Sequence, residues 1–146
     1  MTLIVCDTDF LLKVTTQPLP ELAQFLAESK SQLATLSRIE AELHGLQQSK
    51  NHLTARKART ALQSISRGSV KILKEKTRAR ASTYTDADAL LVDIAERSKP
   101  SIVIATLDHS ILSVLERKRL PYLTLRKNRP FFRVYESATY LLNKGQ

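Results

Sequence analysis

The sequence predicts a three-layer α/β/α fold around a central, mainly parallel β-sheet. Two apolar runs, 3–9 and 101–108, lack polar alternation until each reaches aspartate. Such runs are typical of central strands in a parallel sheet, which is covered on both faces. Residues 122–125 form a third candidate strand, and segments with helical spacing separate the three. Strands alternating with helices predict an α/β fold.

The elements between these strands follow from periodicity, capping residues and breakers. In the first part of the chain we expect a short apolar turn at 10–12, a helix at 21–30, a strand at 32–36, and a helix from a capping box of Ser37 and Glu40 to about 48. A basic helix follows at 52–66, with Leu53, Leu62 and Ile65 facing inward, and then an extended segment at 70–73 and a loop at 74–82. The last two helices are expected from 86–88 to about 98 and after Asp108, ending before Pro121.

Length and composition predict one domain over residues 1–146 with an ordinary core, since 42% of the residues are hydrophobic. We expect a basic helical segment at about 50–80 and a basic C-terminal tail from about 126. No secretory h-region or apolar stretch of transmembrane length is present, so we expect a cytoplasmic protein without a membrane partner. The single cysteine, Cys6, lies in an apolar strand and is expected to be an inert buried thiol.

The net charge of +9 is local, because residues 50–80 contain ten cations and one acid. A stripe of this kind suits a polyanion and its phosphates, although a solvated helix face explains the charge equally well. The candidate phosphate contacts in the stripe are Arg56, Lys57, Arg59, Arg67, Lys71, Arg78 and Arg80, and a second candidate patch consists of Arg126, Lys127 and Arg129.

Four carboxylates occupy positions that suit a site for a hard cation with oxygen ligands. Asp7 and Asp108 end the two apolar strands, Glu42 lies on a helix face away from Glu40, and Asp88 lies at a helix start. Each has a simpler explanation: Asp108 can be a helix N-cap, and Asp88 can form a capping box with Thr85. Convergence of all four at one edge of the sheet predicts a shared site.

These residues carry a family resemblance, because the chain resembles a PIN domain, a nuclease fold with an acidic quartet. The matching motifs are Asp7-Thr8-Asp9, Glu42-Leu43, Asp88-Ala89-Leu90-Leu91 and Ala105-Thr106-Leu107-Asp108. The resemblance covers about residues 3–127. The closing stretch, 111–126, is more similar to the archaeal and eukaryotic branch associated with ribosomal RNA processing than to the VapC toxins.

The resemblance implies a metal-dependent endoribonuclease that hydrolyses RNA phosphodiester bonds and takes part in ribosomal RNA processing. It implies one or two Mg²⁺ or Mn²⁺ ions, with Asp7 and Asp108 as direct ligands and with Glu42 and Asp88 completing the shell directly or through water. Thr106 then positions a phosphate or the attacking water, or else only binds backbone. The implied partners are RNA and a ribosomal-precursor or antitoxin protein, with a homodimer as a further expectation.

One departure from the family pattern and one choice between neighbouring acids leave the ligand set open. Asp9 stands where the family has asparagine and is a further candidate ligand, and Asp86 competes with Asp88 for the same role.

Three other functions are compatible with these motifs. Asp7-Thr8-Asp9 also resembles the start of haloacid dehalogenase phosphatases, with Asp7 as nucleophile and Asp9 as general acid, but the order of the later motifs argues against that class. A VapC-like toxin ribonuclease and a PIN module that binds RNA without cutting it are the other two.

Overall fold

The computed structural model describes residues 2–74, 87–98 and 101–135, in which strands and helices alternate. The strands are β1 (Leu3–Cys6), β2 (Gln32–Leu36), β3 (Lys71–Leu73), β4 (Ile102–Ala105), β5 (Tyr122–Arg126) and β6 (Arg129–Arg133). The helices are α1 (Thr8–Thr16), α2 (Pro20–Ser29), α3 (Ser37–Gln47), α4 (His52–Ser66), α5 (Ala87–Arg97) and α6 (His109–Arg117).

All six strands form one sheet in the order β3-β2-β1-β4-β5-β6. The first five are parallel to their neighbours, and only β6 is antiparallel, to β5. The two central strands, β1 and β4, are the apolar runs of the sequence, and β4 is buried along its whole length. The predicted α/β fold with a mainly parallel sheet is therefore confirmed.

The strand order places a crevice at one edge of the sheet. The chain adds β2 and β3 on one side of β1, then returns to add β4 and β5 on the other side. The connections that follow β1 and β4 therefore diverge at the ends of these two strands, and such a switch point is where open α/β sheets bind ligands. We call this side of the sheet, where β1 ends at Cys6 and β4 ends at Ala105, the carboxyl edge.

The β5–β6 hairpin extends beyond the carboxyl edge. Leu123 pairs with Ala105, the last residue of β4, so β5 continues for three more residues to Arg126. At roughly 3.3 Å per residue this overhang is about 10 Å. Lys127 and Asn128 form the turn with φ of 52° and 65°, which is typical of a tight type I′ hairpin. The residues expected to form a basic tail from about 126 thus begin as an ordered hairpin.

Helix α4 packs mainly through small side chains, together with two of its three predicted apolar residues. Ala55, Ala58 and Ala61 form its buried face, whereas the side chain of Leu53 is 58% exposed. Leu62 and Ile65 are partly buried against the core. Leu53 lies in the first turn of the helix and lines a surface groove beside Thr15 and Thr16 of α1, so its predicted inward orientation is wrong.

Two local predictions near the N-terminal half are also wrong. Residues 10–12 are part of α1 and not of a short turn, because Asp7 caps the helix and Phe10 and Leu11 are fully buried. The capping box at Ser37 does not form, because Leu36 is the N-cap and no side chain caps the helix. Strand β2 therefore passes directly into α3.

The remaining predicted elements agree with the structure wherever it describes them. The strand at 32–36 and the helix at 52–66 have the predicted bounds, and Gly68, with φ of 82°, follows the end of α4. The predicted loop from residue 75 onward and the predicted capping residue Thr85 lie outside the described residues, as do Asp86, Arg78 and Arg80. Across the described ranges, no helix combines the length and apolarity needed to cross a bilayer.

Candidate active site

A cavity of about 270 Å³ opens at the carboxyl edge. It is lined by five carboxylates, from Asp7, Asp9, Glu42, Asp88 and Asp108, together with Thr8, Ile39 and Ala87. The structure thus brings together the four carboxylates of the predicted quartet and the additional Asp9. Within the described part of the chain, no lysine, arginine or histidine lines this cavity.

Asp7 is the most buried of these acids, with 6% of its surface exposed. It follows β1 directly and caps α1, where its Oδ1 accepts a hydrogen bond of 2.9 Å from the Phe10 N–H. Its Oδ2 accepts a hydrogen bond from the Thr106 hydroxyl. Burial raises the pKa of Asp7 to about 6, because these two donors offset only part of the desolvation and the charges of Asp9 and Asp88 add to it.

Thr106 links the two central strands beneath the cavity. Its side chain is fully buried, its hydroxyl donates to Asp7, and its oxygen accepts a hydrogen bond of 3.0 Å from the Asp108 N–H. A hydroxyl group can donate only one hydrogen bond, and the Thr106 hydroxyl donates it to Asp7. In the structure these two hydrogen bonds hold Thr106 between Asp7 and Asp108, and its contact with a phosphate or water stays a prediction. We assign Thr106 as a positioning residue for Asp7.

Asp108 is the N-cap of α6 and also lies at the predicted site, so the two explanations that the sequence offered for it are compatible. It caps α6, because its Oδ1 accepts a hydrogen bond of 2.8 Å from the Ser110 N–H, and it lines the cavity. A carboxylate has two oxygens and about four lone pairs, so one cap leaves most of its acceptor capacity free. Asp7 accepts a hydrogen bond on each of its two oxygens, so less of its acceptor capacity is free. The caps fix the orientation of both side chains.

Glu42 is held in the cavity by Thr8, the residue that follows Asp7. The Thr8 hydroxyl donates a hydrogen bond of 2.7 Å to Glu42 Oε2. Glu40 lies instead in a groove between α3 and α4, beside His44 and Arg59. The predicted separation of the two glutamates around the helix is confirmed. The function of Thr8 was not predicted, because its partner is 34 residues away in the chain.

The other two acids complete the lining of the cavity. Asp9 is in the first turn of α1, Asp88 is in the first turn of α5, and both are exposed. Their negative charges raise the pKa of Asp7, which shows that both act on the same centre. Asp88 therefore reaches the cavity as the sequence predicted.

The donor set fits a hydrated hard divalent cation. All the polar side chains that line the cavity present oxygen, the ligand that Mg²⁺ and Mn²⁺ prefer. No three acids, histidines or cysteines in the described ranges lie close enough to hold an ion directly. Mg²⁺ usually keeps several waters and uses only one or two carboxylates. A roomy cavity with five carboxylates suits that mode of binding better than a closed protein cage.

The predicted phosphate contacts lie in two places. Arg56, Lys57, Arg59, Arg67 and Lys71 are exposed on α4 and at the start of β3. Arg56 and Lys57 line a groove beside Thr15 and Thr16, in the last turn of α1, whereas Asp7 caps the first turn. Arg126, Lys127 and Arg129 are exposed on the β5–β6 hairpin, beyond the carboxyl edge.

Comparison with known proteins gives a structural match. No protein-family model matches the sequence, and no curated protein matches it significantly. Among solved structures, the chain is similar to that of the PIN domain endonuclease Utp24, with a TM-score of 0.63 and 16% sequence identity. The match covers 92% of this chain and 96% of the other. An overlap of this extent, with the carboxylates gathered at the edge where the sequence placed them, shows that the chain has a PIN-like fold.

Proposed function

We propose that the chain is a metal-dependent endoribonuclease that hydrolyses RNA phosphodiester bonds. The observation that supports this most is the cavity at the switch point, where five carboxylates meet without a cation among the described lining residues. Converging negative charges are costly unless a cation joins them. The structural likeness to an endonuclease domain supports the same class.

In this proposal, Asp7 and Asp108 would hold Mg²⁺ or Mn²⁺ directly. Of the two modes that the sequence allows for Glu42 and Asp88, ligation through water fits the spacing of the acids better than direct ligation. The bound ion lowers the pKa of a water and neutralises charge that develops on the phosphate. The chain supplies the orientation: Phe10 and Thr106 fix Asp7, and Thr8 fixes Glu42. Asp9 adds a further negative charge beside the ion.

The electrostatics of the cavity also determine where RNA must be held. Five carboxylates repel phosphates, so an RNA strand needs positive charge elsewhere to stay near them. The exposed cations of α4 and of the β5–β6 hairpin provide that charge. We propose that both contribute to RNA affinity. We also propose ribosomal RNA precursors as the substrates, with a ribosomal-precursor protein or an antitoxin as partner and a homodimer as the assembly.

The test uses Asp108→Asn, because asparagine is as good a helix N-cap as aspartate and the fold should persist. We expect wild-type protein to cut a structured RNA with Mg²⁺ or Mn²⁺ but not with EDTA. Asp108→Asn should lower the cleavage rate at least about a hundredfold, the usual contribution of a group that stabilises charge in the transition state. Glu28→Gln removes an exposed acid from α2 and serves as the matched control.

Other results would identify the rival functions. Cleavage that persists in EDTA would contradict the metal-dependent mechanism. Hydrolysis of p-nitrophenyl phosphate in preference to RNA would indicate a phosphatase, and RNA binding without cleavage under any metal would indicate a binding module. Cleavage that a cognate antitoxin suppresses would indicate a VapC-like toxin.

A further inference from the structure

We infer that the tip of the β5–β6 hairpin clamps the phosphate backbone of RNA beside the carboxylate cavity, through Arg126, Lys127 and Arg129. This inference rests on the proposed function, because it specifies how the substrate of that cavity is held. Three features of the hairpin support this inference: its extension beyond the carboxyl edge, its positive charge, and the stacking of Arg126 on an aromatic ring.

The register of the sheet places the hairpin tip on the same side as the cavity. Asp7 follows Cys6, which pairs with Ala105, and Ala105 pairs with Leu123 of β5. The tip therefore begins three residues, or about 10 Å, beyond Leu123, the residue of β5 that lies beside the end of β4. Strand β5 lies two positions from β1, a lateral distance of about 10 Å. A strand of RNA that enters the cavity can reach the tip within a few nucleotides.

The cavity repels a polyanion, whereas the hairpin tip attracts it. The cavity presents five carboxylates and the hairpin tip presents three exposed cations at the same edge. Of the three cations at the tip, only Arg129 forms an ion pair with a described residue, at 3.4 Å from Glu21, and both side chains of that pair are largely exposed. Exposed pairs of this kind contribute little and exchange easily. The tip can therefore attract phosphates that the cavity alone would repel.

Arg126 is already ordered for phosphate binding. Its guanidinium carbon lies 3.6 Å from the centre of the Phe131 ring, a stacked position that covers the face of the guanidinium and leaves its N–H edges available. Arginine binds phosphate through two parallel N–H groups, so this geometry reduces the ordering cost of binding. The ring of Phe132 packs against that of Phe25 in α2, with the ring centres 5.6 Å apart, and this contact anchors the hairpin to the rest of the protein.

The cations of α4 are less well placed for the same function. Arg56 and Lys57 lie beside the last turn of α1, while the cavity lies at its first turn. These residues add to the general attraction of RNA. The hairpin differs from them because its cations lie beyond the carboxyl edge, on the side where the cavity opens.

The test compares Lys127→Asn with Lys30→Asn. Lys127 and Lys30 are both exposed lysines with left-handed backbones, at φ of 52° and 53°, and asparagine tolerates that conformation better than lysine. Neither substitution should unfold the protein, and each removes one positive charge. Lys30 ends α2 just before β2 begins, so it lies at the opposite edge of the sheet.

The measurement is the fluorescence anisotropy of an end-labelled single-stranded RNA in EDTA, with Kd determined over a range of salt concentrations. We expect Lys127→Asn to raise Kd and to reduce the slope of log Kd against log salt by about 0.7, the value for one lost phosphate contact. Lys30→Asn should change neither. Equal effects of the two substitutions would overturn the clamp.

A third variant, Phe131→Leu, keeps the net charge and an apolar side chain but removes the ring beneath Arg126. We expect Kd to rise by several-fold, and an unchanged Kd would overturn the stacked-arginine step. Cleavage assays separate this inference from the proposed function. Metal-dependent cleavage with equal RNA binding by Lys127→Asn and Lys30→Asn would overturn only the clamp, whereas weaker binding by Lys127→Asn alone, without cleavage, would overturn only the nuclease.

Discussion

Asp7 combines burial with a position that requires it to be charged. Its carboxylate has lost most of its hydration, and two hydrogen bonds replace only part of it. The residue is thus a source of instability in the protein without metal. Retaining a buried acid at the end of a central strand is the cost that a cation site imposes on its fold.

We expect Asp7→Asn to stabilise the metal-free protein at neutral pH. The folded-state pKa of Asp7, about 6, lies above the unfolded value of about 3.9. The folded state therefore binds the proton more tightly, so the contribution of Asp7 to stability is fully present below pH 4 and is lost as the pH rises through 6. The loss by pH 7 is up to about 3 kcal/mol, and the amide of asparagine avoids it while keeping the cap.

Urea denaturation in EDTA between pH 4 and pH 7 measures this effect. The midpoint for wild-type protein should fall over that range, and the midpoint for Asp7→Asn should fall less. Parallel curves for the two proteins would show that Asp7 is already compensated by its surroundings.

Helix α4 illustrates how an element can be predicted while its packing is not. The bounds of the helix follow from Asn51, whose side chain caps the first turn, and from Gly68 just beyond its end. Its buried face consists of alanines, which hydrophobicity alone ranks below Leu53. Close approach of α4 to α1 and α3 selects small side chains, and that constraint is a tertiary one.

We expect Ala58→Leu to destabilise the protein by about 1 to 3 kcal/mol, the usual cost of adding volume to a filled interface. Ala58 is fully buried in α4. Ala23→Leu makes the same change at an exposed position of α2 and should alter stability by less than about 0.5 kcal/mol. Urea denaturation of both variants provides the comparison, and similar stabilities would mean that α4 has space beneath it.

The predictable parts of the fold and of the site share one property, which is that their signals are local. The strands β1 and β4 are continuous apolar runs, and Asp7 and Asp108 follow them directly. The unpredicted parts lack such a signal. Thr8 donates a hydrogen bond to Glu42, which is distant in the sequence. The β5–β6 turn consists of Lys127 and Asn128 and not of the Asn-Gly pair that marks such turns. The predicted capping box at Ser37 fails because β2 enters α3 without a break.

The distribution of charge over the molecule is uneven, although the net value is simply positive. The protein has a net charge of +9, yet the cavity at the carboxyl edge gathers five carboxylates. A divalent cation that binds only the folded state should stabilise the protein by about 2.7 kcal/mol at a hundredfold excess over its Kd. Metal addition is therefore a sensitive measure of the cavity as a whole.

We expect Asp88→Asn to reduce the rise in melting temperature that Mn²⁺ produces. Asp88 lines the cavity and its charge acts on Asp7, so its loss should weaken metal binding. Melting curves at pH 7 with EDTA and with Mn²⁺ measure the response, with Glu28→Gln as the control. An equal response of Asp88→Asn and wild type would exclude Asp88 from the metal site.

The pairing of β1 with β4 also determines when the cavity can exist. Asp7 and its partner Thr106 are separated by 99 positions in the chain. During synthesis, β1, β2 and β3 leave the ribosome well before β4, so one edge of β1 stays unpaired until β4 has been synthesised. An unpaired apolar edge of this kind is prone to wrong association. The delay also means that a nascent chain has no cavity until β4 and Asp108 have been synthesised.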